Sequence, residues 1–143
     1  MPTFTVPVED NQFLLTVAVA VPERRATDRR TCRALVDTGA HCSMVSANVV
    51  ETLRVASTGI GGFMAANGQT QSTPIFDLHI AVPVTVTATA ADGSTSETVF
   101  AGGRALEVLL LPFDPPDFDV LLGMDLLTEF HITMYNGTLV LSN

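Results

Sequence analysis

One acidic residue of the chain directly follows a buried apolar stretch, and its neighbours favour a role in catalysis. Residues 34–36 read Ala-Leu-Val and end at Asp37, which opens a tight turn with Thr38 and Gly39. A carboxylate in such a place is costly to desolvate unless another group shares its charge. Gly39 lacks a Cβ, so a second backbone or a bound molecule can approach closely. The turn is compatible with an Asp that only shapes the chain and with a carboxylate held for acid–base chemistry.

A second motif near the C-terminus has a similar character. Residues 119–127 read Asp-Val-Leu-Leu-Gly-Met-Asp-Leu-Leu. This is a short apolar run, then Gly123, then Asp125, an acid able to cap a short helix. Between the two motifs, residues 66–68 read Ala-Asn-Gly, and Asn-Gly is a strong hairpin signal.

The two motifs, in this order, resemble those of the retropepsin-like (retroviral-type) aspartic proteases, and the likeness covers residues 12–142. In that family a hydrophobic-Asp-Thr/Ser-Gly-Ala loop precedes a hydrophobic-hydrophobic-Gly-x-Asp/Asn helix start. Bacterial members carry a hairpin turn similar to residues 66–68. The resemblance implies that Asp37 is the catalytic carboxylate and that Thr38 bonds across a dimer. It also implies an active-site loop of Thr38, Gly39 and Ala40 above a structural motif of Leu122, Gly123 and Asp125.

The number of active-site motifs decides the predicted architecture. Two carboxylates must share one proton, so that one acts as an acid while the other acts as a base. The chain of 143 residues contains a single Asp-Thr-Gly and therefore supplies half of such a site. We predict a two-fold homodimer in which Asp37 of each subunit meets on the axis. The resemblance implies an all-β fold, a closed acid-protease barrel with one or two short helices, formed by a single domain over residues 1–143.

Composition and charge exclude several other functions. Hydrophobic residues make up 47% of the chain and the net charge is −8, which argues against a nucleic-acid partner. The apolar stretch 13–21 is far shorter than a membrane span, so we expect no membrane association. Cys32, Cys42 and His41 lack the spacing of metal ligands, and the expected hydrolysis needs neither a metal nor an organic cofactor.

The two cysteines are too few for a disulfide framework. We expect both to be free, mostly buried thiols in a reducing compartment. The location is left open between the cytoplasm and a soluble domain released from a longer chain. Five arginines within residues 24–33 are interpreted as a solvated loop, with a docking patch for an acidic partner as the alternative.

Strand signals cover most of the remaining chain. We predict an edge or interface strand at 3–8, a hairpin of 14–21 with 31–37, and strands at 74–82, 84–90, 97–102 and 105–111. Asp92-Gly93 and Asn136-Gly137 are predicted turns. Helices are expected at 46–55, with Ser46 or Asn48 as its N-cap, and at 125–130. The last strand, 138–142, would be an exposed edge in a monomer, and in the family interleaved chain termini bury that edge. Asp114, Asp117 and Asp119 are interpreted as solvated turn formers.

The lid of such a cleft could turn at either of two glycine-containing segments. We favour Asn67-Gly68 as the tip, because both central residues of a type I′ turn need a positive φ. The alternative is segment 59–63, which looks like the flap tip of the retroviral enzymes. The flap and substrate-binding residues are Ile60, Gly61, Gly62, Phe63, Met64, Ala66, Asn67 and Gly68, with Leu35 as a further apolar contributor.

The predicted function is aspartic-type peptide-bond hydrolysis at acidic pH, inhibited by pepstatin. The rival is a retropepsin-fold dimerisation or peptide-binding module with weak or no turnover, since a fold does not guarantee a function. The intact Asp-Thr-Gly-Ala loop speaks against that rival. An actin-like phosphate site is disfavoured, because the chain lacks a glycine-rich strand–helix phosphate loop.

Overall fold

The protein is mostly β-structure. The structure, a computed structural model, describes the backbone of residues 3–9, 12–90 and 93–142, and the side chains of 12–82 and 103–142. Within these ranges a 3₁₀ turn lies at Pro22–Arg24, and the two α-helices are α1 (Ala47–Leu53) and α2 (Met124–Leu127). The strands are β1 (Thr3–Glu9), β2 (Gln12–Ala20), β3 (Arg29–Val36), β4 (Met44–Val45), β5 (Gly59–Met64), β6 (Thr70–Ala90), β7 (Gly93–Leu110), β8 (Val120–Leu122), β9 (His131–Tyr135) and β10 (Thr138–Ser142).

These strands form one sheet with two parallel pairs at its centre. The order is β5-β6-β7-β4-β8-β3-β2-β1-β10-β9, and β6 also pairs with β2 and β1, which folds the sheet back on itself. β3 runs parallel to β8, with Val36 opposite Leu122. Parallel strands end at the same edge of a sheet, so the residues that follow them, Asp37 and Gly123, emerge side by side.

The core lies inside this folded sheet and also holds both helices. β2 contributes Leu15, Val17 and Val19 to this core, and α1 and α2 each contribute two buried aliphatic residues. Burial of one such side chain stabilises the fold by about 1.5–3 kcal/mol. The largest fully buried side chains are Leu53, Leu78, Ile80, Leu122, Leu126, Leu127, Leu139, Leu141, Val17, Val19 and Val45.

Most predicted elements are present, with shifted ends. β2 and β3 form the predicted antiparallel pair. The first helix stops at Leu53, because Arg54 adopts a left-handed conformation with φ 53°. The two strands predicted on either side of Pro83 are one strand, β6, which pairs with β7 through a register shift between Ile80 and Val82. The predicted turn at Asp92-Gly93 falls partly outside the described residues.

The prediction that the C-terminal strand forms an edge is wrong. β10 pairs with β1 on one side and with β9 on the other, within the same chain. A two-residue turn with φ 50° at Asn136 and 71° at Gly137 returns β9 against β10. The strand at the end of the sheet is therefore β9, whose Met134 and Tyr135 are exposed.

The second helix also differs from its prediction. It covers Met124–Leu127 rather than 125–130, and its N-cap is Gly123, so Asp125 lies in the first turn instead of capping it. None of the described helices has the length and the apolar character that crossing a membrane requires.

Candidate active site

Asp37 is held by the backbone of its own loop. The N–H of Asp37 donates to the carbonyl of Leu122 at 3.0 Å, which continues the β3–β8 pairing by one residue. The N–H of Gly39 donates to Asp37 Oδ1 at 2.9 Å, and that of Ala40 donates to the Asp37 carbonyl at 3.2 Å. Oδ2 accepts no hydrogen bond from the described residues. The loop thus orients the carboxylate and leaves one oxygen available.

The start of α2 supports this loop from below. The N–H groups of Met124 and Asp125 donate to the carbonyls of Ala40 and His41 at 2.8 and 3.1 Å. These N–H groups belong to the first helical turn, which has no acceptors inside the helix. A Cβ on Gly123 would lie 2.5 Å from the carbonyl carbon of Cys42. Glycine is required here because two backbones touch.

A buried serine links the two motifs, and the sequence reasoning missed it. Ser43 is fully buried, and its hydroxyl donates to Asp125 Oδ1 at 2.7 Å while its N–H donates to Oδ2 at 2.9 Å. The same hydroxyl accepts the N–H of Gly123 at 3.0 Å. Hydrogen bonds to a carboxylate are stronger than neutral ones. Asp125 is therefore the anchor between the active-site loop and α2.

Asp119 provides a second anchor, so its interpretation as a solvated turn former is wrong. Its carboxylate accepts a 2.7 Å hydrogen bond from the hydroxyl of Ser46, and its carbonyl accepts the Ser46 N–H at 2.8 Å. Ser46 is the N-cap of α1, as one alternative predicted, but its hydroxyl makes no capping bond to the helix. The bond to Asp119 instead ties the start of α1 to the segment before β8.

The opposite wall of the site is the hairpin of β5 and the first part of β6, residues 59–75. Its turn covers residues 66–68. The N–H of Gly68 donates to the carbonyl of Ala65 at 2.9 Å, and the N–H of Ala65 donates to the carbonyl of Gln69 at 2.8 Å. Gly68 has φ 82°, whereas Asn67 has no positive φ. The predicted type I′ turn is therefore wrong. A three-residue loop ending in a left-handed glycine takes its place.

The hairpin turn lies where the favoured alternative placed it. Segment 59–63, the competing choice for the tip, belongs to strand β5 instead. The side of this strand that faces the sheet is closely packed, since a Cβ on Gly61 would lie 2.8 Å from side-chain atoms of Ile75 and Leu109. Below the site, Phe63 and Ile75 pack against a small apolar cluster of Met44, Leu109 and Leu111.

A cleft of about 540 Å³ separates the two walls. Asp37 lies in it, partly exposed. Its lining is largely apolar. Burial of the Cys42 thiol, and after it the negative charge of Asp125, raises the pKa of that thiol. The lining residues are Asp37, Gly39, Ala40, His41, Cys42, Met44, Gly62, Phe63, Met64, Ala66 and Leu121.

The structure brings only part of the predicted site together. Seven predicted residues line the cleft, whereas His41, Cys42, Met44 and Leu121 were missed as lining residues. Ile60 is 80% exposed and lies outside the lining. Thr38 is exposed, and its side chain makes no hydrogen bond to the described residues. The predicted residues outside the lining are Leu35, Thr38, Ile60, Gly61, Asn67, Gly68, Leu122, Gly123 and Asp125.

Both cysteines are free thiols and only partly buried. Burial, followed by the charge of Asp119, raises the pKa of Cys32 from 9.0 to about 11. Among the described residues, no group of three His, Cys, Asp or Glu side chains is arranged to hold a metal ion.

A β-rich fold with Asp-Thr-Gly beside a Gly-x-Asp helix start defines the class of acid proteases, and comparison with known proteins agrees. The family model described as retroviral aspartyl protease matches residues 29–143. The chain therefore belongs to the retroviral aspartyl protease family, as its motifs predicted.

Among solved structures, the fold is similar to that of a retropepsin-like aspartic protease from Rickettsia conorii. The TM-score is 0.57 and the identity 14%, over 97% of this chain and 89% of the other. This likeness supports the retropepsin-like fold. A search of curated proteins found no match.

Proposed function

We propose that this protein is an aspartic endopeptidase that works as a two-fold homodimer. The observation that carries the proposal is the state of Asp37: one carboxylate oxygen is fixed by Gly39, the other is available, and both lie at a cleft. One carboxylate cannot be acid and base at the same pH, so a second Asp37 must come from another subunit. The exposed Thr38 hydroxyl beside it is free to bond across the axis.

The dyad would hydrolyse the peptide bond without a covalent intermediate. A water molecule lies between the two Asp37 carboxyl groups, one ionised and one protonated. The ionised group removes a proton from the water as its oxygen attacks the scissile carbonyl carbon, and the protonated group donates to the carbonyl oxygen. The first group, now protonated, then gives its proton to the leaving nitrogen as the C–N bond breaks. The second group, now ionised, takes a proton from a hydroxyl of the tetrahedral intermediate, which yields the carboxylic acid and restores the dyad.

The substrate would lie extended between the active-site loop and the hairpin. A peptide in this position can pair with the hairpin as an added strand, and the hairpin can serve as a lid that excludes water. Because Phe63, Met64, Met44 and Leu121 line the cleft, apolar side chains are favoured around the scissile bond.

The test is hydrolysis of casein and a peptide library across acidic and neutral pH, with sedimentation of the same sample. We expect a bell-shaped profile with an acidic optimum, because the active dyad is singly protonated. Pepstatin should inhibit, since its hydroxyl replaces the water of the dyad. Asp37→Asn should reduce turnover by roughly 10²–10⁴-fold or more. The matched control is Asp77→Asn, an exposed acid outside the cleft, which should leave turnover unchanged.

The mass of the active species, measured together with its activity, distinguishes a dimeric protease from a peptide-binding module without turnover. The active species should have about twice the 15.2 kDa mass of one chain. Full activity from a proven monomer, or an active Asp37→Asn variant, would overturn the mechanism. A dimer that binds peptides without cleaving them at any pH would instead favour the binding module.

A further inference from the structure

The cleft contains a group that the proposed chemistry does not use, the imidazole of His41. His41 lies four residues after Asp37, lines the cleft and is exposed. Its carbonyl accepts the N–H of Asp125 at 3.1 Å, so its backbone is fixed to α2. Its side chain makes no hydrogen bond to the described residues. The backbone of His41 is thus fixed at the cleft, and no hydrogen bond to the described residues occupies its ring nitrogens.

Among the described residues that line the cleft, His41 is the only one whose side chain can carry a positive charge. The other lining residues include no Lys or Arg, and those from the hairpin are uncharged. The raised pKa of Cys42 keeps that thiol neutral, and Asp37 is occupied with the water. A protonated imidazole donates charge-assisted hydrogen bonds from both of its ring nitrogens. A substrate carboxylate beside His41 would therefore meet a charged hydrogen-bond donor.

We infer that His41 selects peptides with a Glu or Asp side chain near the scissile bond; this inference rests on the proposed function. The turn from Asp37 to Ala40 keeps those Cα atoms within about 7 Å, and His41 is one Cα step of about 3.8 Å farther. An extended peptide advances about 3.3 Å per residue. The His41 Cα is therefore at most about 11 Å from that of Asp37, so the selected carboxylate is at most about three residues from the scissile bond. Two-fold symmetry places a second such position on its other side.

The experiment compares peptides with an apolar centre that differ only in Glu, Gln or Lys at the second or third position on either side. The quantity measured is the kcat/KM ratio within each protein variant, so a general loss of turnover cancels. The wild type should cleave the best Glu peptide roughly fivefold faster than its Gln counterpart at about pH 5, an effect at the upper end for an accessible ion pair. His41→Gln should bring the ratio to about one, and His41→Asp should favour Lys.

A binding measurement separates failure of this inference from failure of the proposed function. The same peptides, carrying a fluorophore, are titrated into Asp37→Asn and into the double variant Asp37→Asn/His41→Gln. Tighter binding of Glu peptides that is lost in the double variant supports the role of His41 even if no peptide is cleaved. The inference is overturned if the wild type cleaves or binds Glu and Gln peptides equally well, or if the Glu-to-Gln ratio of kcat/KM is the same in His41→Gln as in the wild type. Either result counts against it at any level of turnover.

Discussion

The two walls of the cleft are built from different kinds of contact. The active-site loop is fixed by backbone hydrogen bonds to β8 and α2 and by the buried Ser43–Asp125 pair. The hairpin is held by pairing between β5 and β6 and by apolar packing near its base, and its tip is exposed. Catalysis needs a fixed carboxylate on one side and a wall that can admit a peptide on the other. The stability of the fold should therefore depend mainly on the active-site loop, whereas peptide turnover should depend on both the loop and the hairpin.

The largest expected effect on stability comes from Gly123, at the start of α2. Gly123→Ala places a Cβ 2.5 Å from the Cys42 backbone, so the free energy of unfolding should fall by about 3 kcal/mol. Gly62→Ala is the matched change in the hairpin. Its Cβ would meet a carbonyl oxygen of Gln71 at 3.3 Å, and the cost should stay below about 1 kcal/mol. Urea unfolding of both variants checks this, and equal midpoints would contradict the assigned difference.

Ser43→Ala should have the next largest effect. It leaves the buried N–H of Gly123 without its acceptor and removes one hydrogen bond from Asp125. A loss of about 2 kcal/mol is expected, since unsatisfied buried donors are costly. Ser72→Ala, at an exposed position of β6, is the control and should change little. If calorimetry gave the two variants the same melting temperature, the bond would not be an anchor.

A third pair of variants distinguishes the effect of backbone strain on peptide turnover from the effect of losing the proposed lid. Gly68→Val and Gly137→Val both force a β-branched residue into a positive φ in open space, at roughly 1 kcal/mol each. Residue 68 belongs to the cleft hairpin, whereas β9 and β10 contribute nothing to the lining. Gly68→Val should lower peptide turnover by roughly tenfold or more, because the substrate loses its strand-pairing partner. Gly137→Val should keep its turnover, and parallel losses in both variants would argue against a lid.

The smallest predicted effect concerns Cys32 in β3, the strand that precedes Asp37. Its pKa is raised from 9.0 to about 11, mainly by burial. In the unfolded chain the thiol ionises first, so the unfolded state binds fewer protons between these values and stability falls as the pH rises from 9.0 to about 11. Cys32→Ala should lose less stability over this window. Urea titrations measure the free energy of unfolding of wild type and Cys32→Ala across this pH window. If both proteins lost the same free energy, the raised pKa of Cys32 would be contradicted.

The two Asn-Gly turns show how far local sequence predicts a hairpin. Asn136-Gly137 forms the expected two-residue turn between Tyr135 and Thr138. The same dipeptide at 67–68 also marks a hairpin, but its strands pair at Met64 and Thr70, and the turn takes three residues. The dipeptide predicts the position of a hairpin. Its geometry depends on the register of the flanking strands, which a local pattern does not contain.

The residues of the candidate site show the same limit of local sequence patterns. The adjacency of Asp37 and Gly123 was predictable because each lies in a short motif of fixed spacing, whereas the catalytic role of Asp37 stays a prediction. Ser43 was not predictable, because its partner Asp125 lies 82 residues away and a lone serine carries no pattern. The assignment of β10 as an edge failed for a related reason, since its pairing with β1 joins the two ends of the chain. The closed barrel stays a prediction.

The most direct test of the central claim, a dyad shared by two chains, is a mixing experiment. Wild type and Asp37→Asn are unfolded together in equal amounts, refolded and assayed at constant total protein. If both subunits must supply Asp37, random pairing leaves about one quarter of the dimers active, and the activity should be about one quarter of that of wild type alone. If each chain acts independently, about one half remains, which would contradict the shared dyad.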